Sequence, residues 1–544
     1  MCLILVRVLE QEDSMALSDI LERGYFPKEL PNPFVTNSLA SAVTASGVVL
    51  PADFNIDLRR HNPRIPKAKS TKYSHARGGL QRRQLCLPNP VLHYLICREI
   101  DSNWAALAPS ISGTPLSATT PVFAPIGRAI RGARQQDARR ELAVQTRINN
   151  RYILRTDISR FYHSIYTHSI PWALHAKTVA KANRAMSLLG NRLDCLVRNG
   201  QDGQTVGIPI GPDTSLVIAE ILMQRCDTEL LASCPGIRGH RFIDDYELGF
   251  RHRTDAEDAF HRLEKILADY ELALNLRKTE IVELPYNLEA PWVSPLRSFA
   301  FRTTPSGQLG DLFRFFDLAF ELRGQYPDDA VLQYAVGRLR YLAVDHSNWE
   351  LFQHLLLDCA SPEPAVLPYV LEAIIIRTNA GAAPALAEIE EVMNSLIIDH
   401  SGLTHSSEVA WALWACLALG ITISPAASAA VSECEDSIVA LLALHCELQG
   451  LVGSPLDHTV WSSYMNQDNL YEEQWLLSYE ANVKGWLPSQ GGGDHVSADP
   501  NFQFLKAEGV SFYNVAMAVP SAPGAPAPVP IPPTPPIVFG VSAS

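Results

Sequence analysis

The sequence predicts an α+β protein in two unlike halves: a ferredoxin-like β-α-β-β-α-β unit within residues 151–300, then an all-α region over 301–485. Three observations predict it. Between 151 and 290, short β-rich runs alternate with amphipathic helical ones. From about 310 the strand signals thin out, while Leu, Ala and Ile recur at helical spacing. Charge divides near the same border: residues 56–160 hold about 19 Lys/Arg against 6 Asp/Glu, whereas 321–500 hold about 24 acids against 5 bases.

Taken in order, residues 1–55 form an N-terminal segment in which a short helix is followed by Pro-rich turns. Residues 56–150 are the basic segment, with Arg59, Arg60, Arg64, Lys67, Lys69, Lys72, Arg77, Arg82 and Arg83. Tyr152–Asp157 reads as a strand that delivers Asp157 at its end. Leu216–Leu231 reads as a helix, and Phe242–Phe250 as a hairpin with Asp244 and Asp245 at its tip. Thr254 followed by Glu257 resembles a capping box that opens the helix Thr254–Leu272, and Leu274–Leu284 returns as a strand.

Helices are predicted over Asp311–Gln325, Asp329–Asp345, Trp349–Asp358, Ala365–Thr378, Pro384–Ile397, Ser407–Leu419 and Ala426–Leu448. Pro384 suits a first helical position, where its missing N–H costs nothing. Seven such helices without long connectors predict a HEAT-like array; an irregular bundle is the alternative, because no crisp repeat is visible. Residues 486–544 read as a low-complexity, Pro-rich tail: a polyproline II tether or a peptide ligand.

Composition sets bounds on function. No run approaches the ~20 apolar residues that span a bilayer, and Met1–Val6 is too short for a signal-peptide core, so the expectation is a cytoplasmic protein without membrane contact; Met15 is an alternative start. Ten cysteines without a Cys-x-x-Cys pair read as small buried residues in a reducing compartment. His93 and Cys97, four apart on a helix, could share a metal, but no second pair supports them. The net charge of −13 would repel nucleic acid as an average, yet the basic segment can neutralise phosphates and release counterions.

The chemistry concentrates in Arg241-Phe-Ile-Asp244-Asp245-Tyr and, about ninety residues upstream, Thr156-Asp157-Ile-Ser-Arg-Phe-Tyr162. Adjacent carboxylates amid apolar residues repel each other unless a cation lies beside them. Oxygen ligands on separate elements suit Mg²⁺, with Mn²⁺ as an alternative, and two such ions ~4 Å apart stabilise both oxygens of an in-line phosphoryl displacement.

In order, Asp157–Tyr162, Gly207-Ile-Pro209-Ile-Gly211, Phe242–Asp245 and Leu276-Arg-Lys278-Thr resemble motifs A to D of the reverse transcriptases. The resemblance covers roughly residues 20–300. It is closest to the bacterial defence-associated (abortive-infection and unknown-group) branch, through Gly24-Tyr-Phe-Pro-Lys-Glu-Leu-Pro and Ser159–His175.

The resemblance implies right-hand polymerase fingers at 56–150, a palm at 151–300 and a helical-repeat domain, replacing or merging with the thumb, at 301–485. It implies Asp157, Asp244 and Asp245 as metal ligands, joined by the Ile158 carbonyl, with Asp244 the direct ligand of the acid pair and Asp245 its support. Tyr162, beside Phe161, stands where the family blocks a ribose 2′-hydroxyl; a core tyrosine is the other reading. Arg82 or Arg83 is expected on the triphosphate, and Pro209 and Gly211 in a turn that lets backbone approach the nucleotide. Lys278 would serve the leaving pyrophosphate as proton donor or counter-charge, or be a solvated strand lysine.

Two departures stand out: Ile210 where a glutamine usually meets the sugar, and Phe242 for the commoner tyrosine. The implied activity is DNA polymerisation from dNTPs on a 3′-hydroxyl, with an RNA template, nascent DNA or a non-coding RNA as partners, in anti-phage defence. Template-independent and protein-primed synthesis are known in the branch, and Tyr464, Tyr471, Tyr479 and Tyr513 are candidate priming hydroxyls. A partner protein or a homo-oligomer is expected through 310–480, where Trp411, Trp414, Trp461 and Trp475 could serve as anchors. The competing readings are a non-catalytic nucleic-acid-binding scaffold, an RNA-directed RNA polymerase, and a nuclease built on Arg340 and His346.

Overall fold

The structure, a computed structural model, describes residues 17–79 and 81–518; Met1, Met15 and the Pro-rich run 520–536 lie outside them. Among the described residues, eight strands form three antiparallel sheets: β1 (Thr71–Ala76) with β2 (Arg82–Leu87), β3 (Pro121–Phe123) with β4 (Ile130–Gly132), and a four-stranded sheet. The larger sheet runs β6 (Arg238–Phe242), β7 (Asp245–Phe250), β5 (Tyr152–Thr156), β8 (Glu280–Glu283). With the helices Asp213–Ser233 and Arg253–Asp269 as crossovers, chain order and strand order are those of a β-α-β-β-α-β unit.

Register decides where the acids go. Thr156 pairs with Tyr246, and Phe242 pairs with Asp245 across a two-residue turn of Ile243 and Asp244. One step beyond Thr156, Asp157 therefore leaves its strand beside that turn. The segment after it is held too: the Asn275 amide donates to the Asp157 carbonyl at 2.8 Å and the Ser159 amide to Ala273 at 2.8 Å.

Some predicted boundaries move, for physical reasons. The helix expected to open at Thr254 runs Arg253–Asp269 without a side-chain cap, because Glu257 pairs with Arg253 at 2.9 Å instead. The expected strand Leu274–Leu284 contributes only Glu280–Glu283 to the sheet; Leu274 makes an isolated bridge with Ile158. Ala426–Leu448 is two helices, Pro425–Ser432 and Ser437–Leu448, because the Asp436 carboxylate caps the second by accepting from the Ile438 and Val439 amides. The tail placed at 486–544 starts later. Phe512 and Tyr513 are fully buried, and the Val35 amide donates to the Phe512 carbonyl while the Asn514 amide donates to Pro33.

Between Pro305 and Ala518 the described residues are helical, and the helices alternate between two layers. Leu386–Ser401 packs on Ser406–Leu419 and on Pro425–Ser432, and Ser406–Leu419 packs in turn on Ser437–Leu448. Trp461 and Trp475 are fully buried and Trp414 nearly so, while Trp411 donates to the Glu29 carbonyl. These rings are core and joint, not interface anchors. Tyr479 and Tyr513 are likewise buried, and the Tyr471 hydroxyl is engaged with Asp499, so none of the three offers a free priming hydroxyl; Tyr464 is half-buried.

The division of charge also needs correcting. Part of the acidic region faces the basic segment of the same chain. Arg82 forms a two-pronged pair with Glu408 at 2.6 and 2.9 Å, and Lys69 and Lys72 pair with Glu472 and Glu473 at 2.5 and 2.7 Å. Ser406 and Ser407 accept from the Ser74 and Ala76 amides at 3.1 and 2.9 Å, so the free edge of β1 is capped by the helical region. A chain cut near Gly310 would lose that cover. Glu408 is only 2 % exposed, so removing its cation leaves a buried, uncompensated charge. Arg82→Ala should destabilise this joint by about 3–5 kcal/mol, and Arg82→Ala/Glu408→Ala by clearly less. Hydrogen exchange at the Ser74 and Ala76 amides reads this directly; equal protection in all three proteins would contradict it.

Candidate functional site

Asp157 is 6 % exposed; its Oδ2 accepts from Lys278 Nζ at 2.6 Å, while its buried Oδ1 has no partner among the described residues. Asp244 lies across from it, half-buried, close enough that the two charges act on each other. Burial first, then Asp245 and Asp157, push the Asp244 carboxyl up to about 7. Asp245 is the better compensated neighbour: Arg139 donates to its Oδ2 at 2.8 Å and stacks over the Phe242 ring, 4.4 Å from its centre. Among the described residues the Ile158 carbonyl accepts no hydrogen bond. An orphaned carboxylate oxygen, a carboxyl driven towards neutrality and a bare carbonyl together describe a site short of positive charge, which fits a divalent cation.

A second layer holds this hairpin in place. Arg241, at the end of β6, is wholly buried with Glu220 and Asp227, which lie seven residues apart on the helix Asp213–Ser233. Its guanidinium donates to Glu220 at 2.9 and 3.0 Å, to Asp227 at 2.8–3.2 Å, and to the Ile243 carbonyl at 2.6 Å. Burial opposes the charge, but Asp227 and Glu220 outweigh it and hold the guanidinium firmly protonated. Ser117 and Thr119 also donate to Glu220, Thr119 accepts from the Ile243 amide at 2.9 Å, and Tyr246 donates to Asp227 at 2.7 Å. Ile243 has φ of 57°, so the turn carrying Asp244 is a strained conformation that these contacts fix.

The other predicted site residues divide. Tyr162 is half-buried and stands near Asp244, whose charge, after burial, raises its hydroxyl pKa. Phe161 is 3 % exposed and belongs to the core, so it has no surface for a substrate. Arg82 is committed to Glu408 and to Ser74, whereas Arg83, on the opposite face of β2, is exposed and its charge reaches Tyr162 and His163. Strand alternation explains the split: of two adjacent arginines only one can face the site.

Pro209 is half-buried, and the Ile210 carbonyl accepts from the Cys86 amide at 2.7 Å, tying this loop to β2. Gly211 (φ of 135°) is needed for packing: a Cβ there would meet the Cys86 carbonyl at 3.0 Å and Pro27 at 3.3 Å. Arg128 completes the tie, bonding to Asp213 and to the Gly24, Phe26 and Gly211 carbonyls. Gly24-Tyr-Phe-Pro thus supports the loop from behind. Lys278, 68 % exposed, sits on Asp157.

Away from the site, His93 and Cys97 are packing. The ring stacks on Tyr25 at 3.9 Å, and burial pushes the imidazole down to about 3. Arg340 is held by Glu372 at 2.6 Å, which ties up the cation that a nuclease reading requires.

Sequence reasoning missed Arg128, Arg139, Arg241, Glu220 and Asp227. One signal was available. Glu220 and Asp227 fall two turns apart on one face of a long helix, among Val217, Leu222, Met223 and Cys226, with Arg241 three residues before the acid pair.

Residues 106–306 match the profile of the family described as reverse transcriptase (RNA-dependent DNA polymerase). No curated protein matches the chain. Among solved structures, apo telomerase from Candida tropicalis aligns with a TM-score of 0.32 and 10% identity, covering 65% of this chain and 67% of that one. Telomerase from Candida albicans, in complex with a fragment of telomeric RNA, aligns at 0.27 and 13%, covering 66% of each chain. At these scores the alignments carry no weight beyond the family match.

The raised Asp244 pKa has a signed consequence. The folded state holds a proton that the unfolded chain, near the ordinary carboxylate value, releases. Without divalent metal, stability should therefore rise as pH falls through about 7 and level off near the ordinary carboxylate range. Asp244→Asn should flatten this slope in chemical denaturation followed between pH 5 and 8; an unchanged slope would mean that another group carries it.

Proposed function

We propose that this chain, an RNA-directed DNA polymerase and nucleotidyltransferase by its reverse transcriptase domain at 106–306, adds dNTPs to a 3′-hydroxyl with Asp157, Asp244 and Asp245 as its metal-binding carboxylates. The observation that carries the reading is the pairing of the orphaned Asp157 Oδ1 with a strongly raised Asp244 on adjoining strand ends. Mg²⁺ held by these acids and the Ile158 carbonyl would supply the Lewis acidity that neutralises a triphosphate and lowers the pKa of the attacking hydroxyl.

The protein's own groups do the rest. Arg241 and its acids keep the hairpin from yielding when the carboxylates are loaded. Arg139 compensates Asp245, leaving Asp157 and Asp244 as the primary ligands. Arg83, exposed on the site side of β2, takes the triphosphate, while Lys278 leaves Asp157 to meet the pyrophosphate. Tyr162 closes the sugar pocket against a 2′-hydroxyl.

The resemblance to the defence-associated branch supports a role against phage and a helical-repeat reading of 301–485, and the two-layer stacking of those helices agrees with the latter. A protein partner is supported by an exposed apolar stripe, Leu309, Phe313 and Phe320, on one helix of that region.

The test is incorporation of labelled dNTPs with Mg²⁺, with and without RNA, followed by nuclease and protease digestion of the product. Asp244→Ala/Asp245→Ala should lower the rate by about three decades or more, because several kcal/mol of transition-state stabilisation are lost. Tyr162→Ala should admit ribonucleotides in the same assay. Near-normal incorporation by the double variant would refute the assignment.

A further inference from the structure

Outside the palm, the turn between the helices Leu386–Ser401 and Ser406–Leu419 gathers His400, His405 and Glu408. Nδ1 of His400 lies 2.9 Å from Nδ1 of His405, and the two nitrogens lie 3.9 and 3.6 Å from Oε1 of Glu408. Three donor atoms thus face one another across a small triangle. A single proton can bridge the two nitrogens, which leaves the lone pair of the unprotonated nitrogen confronting the carboxylate. A cation at the centre satisfies all three.

The dimensions agree. Ligands ~2.0–2.2 Å from a tetrahedral ion lie roughly 3.4 Å from one another, and the three edges bracket that value. So does the chemistry. Two imidazole nitrogens and a carboxylate are a zinc-type donor set that leaves a fourth position for water, whereas magnesium and calcium prefer all-oxygen shells.

The carboxylate is already oriented from behind. Arg82 grips both oxygens, and Ser407 Oγ donates to Oε2 at 2.7 Å, the outer contacts that fix a ligand before a metal arrives. Glu408 is 2 % exposed while the two histidines are 18 % and 26 % exposed, so solvent reaches the open side only. Thr404, at φ of 53°, turns the chain so that His405 folds back towards His400.

We propose that His400, His405 and Glu408 bind a zinc-class divalent metal at a site separate from the palm carboxylates. Because Glu408 also holds Arg82 of β2, an ion there ties the helical region to the hairpin that carries Arg83.

The test uses the full chain carrying Asp244→Asn/Asp245→Asn, which weakens the palm as a competing site. Zn²⁺ is titrated against a chromophoric chelator, and Co²⁺ is followed by visible absorption. One Zn²⁺ per chain is expected, with intense d–d bands from tetrahedral Co²⁺. His400→Gln/His405→Gln should abolish those bands and weaken Zn²⁺ by more than the roughly 10–100-fold that loss of an outer-shell partner costs. Weak octahedral Co²⁺ bands in the chain with both histidines intact would overturn the site without reference to any histidine variant. Zn²⁺ affinity unchanged in a folded histidine variant would overturn it as well.

Discussion

The buried Arg241–Glu220–Asp227 cluster is the constraint on which the candidate site depends. Three charges without solvent are tolerable only because nearly every polar atom is used: the guanidinium reaches two carboxylates and a carbonyl, and three hydroxyls and a phenol complete the acids. Removing Arg241 would leave two buried carboxylates without a counter-charge. The cluster converts that intolerance into position. It pins the Ile243 carbonyl and, through Thr119, the Ile243 amide, so the turn presenting Asp244 cannot relax. A half-buried carboxylate held rigidly beside Asp157 is driven to take up either a proton or a cation.

The same logic operates at the joint between the basic hairpin and the helical region. β1 has a free edge, and serine hydroxyls on a helix start cap it, with the Arg82–Glu408 pair fixing the register. The acids at 408, 472 and 473 therefore serve the chain's own lysines and arginine. A net charge of −13 overstates the acidity presented to a partner, because part of it is neutralised internally.

Much of this was legible in the sequence, and what was not has definite causes. Element order followed from the succession of strand-like and helix-like runs, and Asp157 and the acid pair fell at a strand end and a hairpin tip. Helix positions in the second half followed from apolar spacing. The break at Asp436 did not, because a capping aspartate within a continuous apolar pattern looks like a surface residue. Arg82 and Arg83 are indistinguishable in sequence; only the pleat sends one to Glu408 and the other to the site. Phe512 and Tyr513 sit just before the Pro-rich run, and their burial depends on the N-terminal segment 33–38, nearly five hundred residues away. No local pattern could announce that.

The central claim is that Asp157, Asp244 and Asp245 form a centre for divalent cations. Mn²⁺ titration followed by electron paramagnetic resonance, in the presence of a dNTP, tests it most directly. Two ions close enough to share an active site are exchange-coupled, and the account predicts a coupled pair in the wild-type chain that disappears in Asp244→Asn/Asp245→Asn. A single isolated Mn²⁺ signal in the wild type, or a coupled pair that survives in the variant, would contradict it.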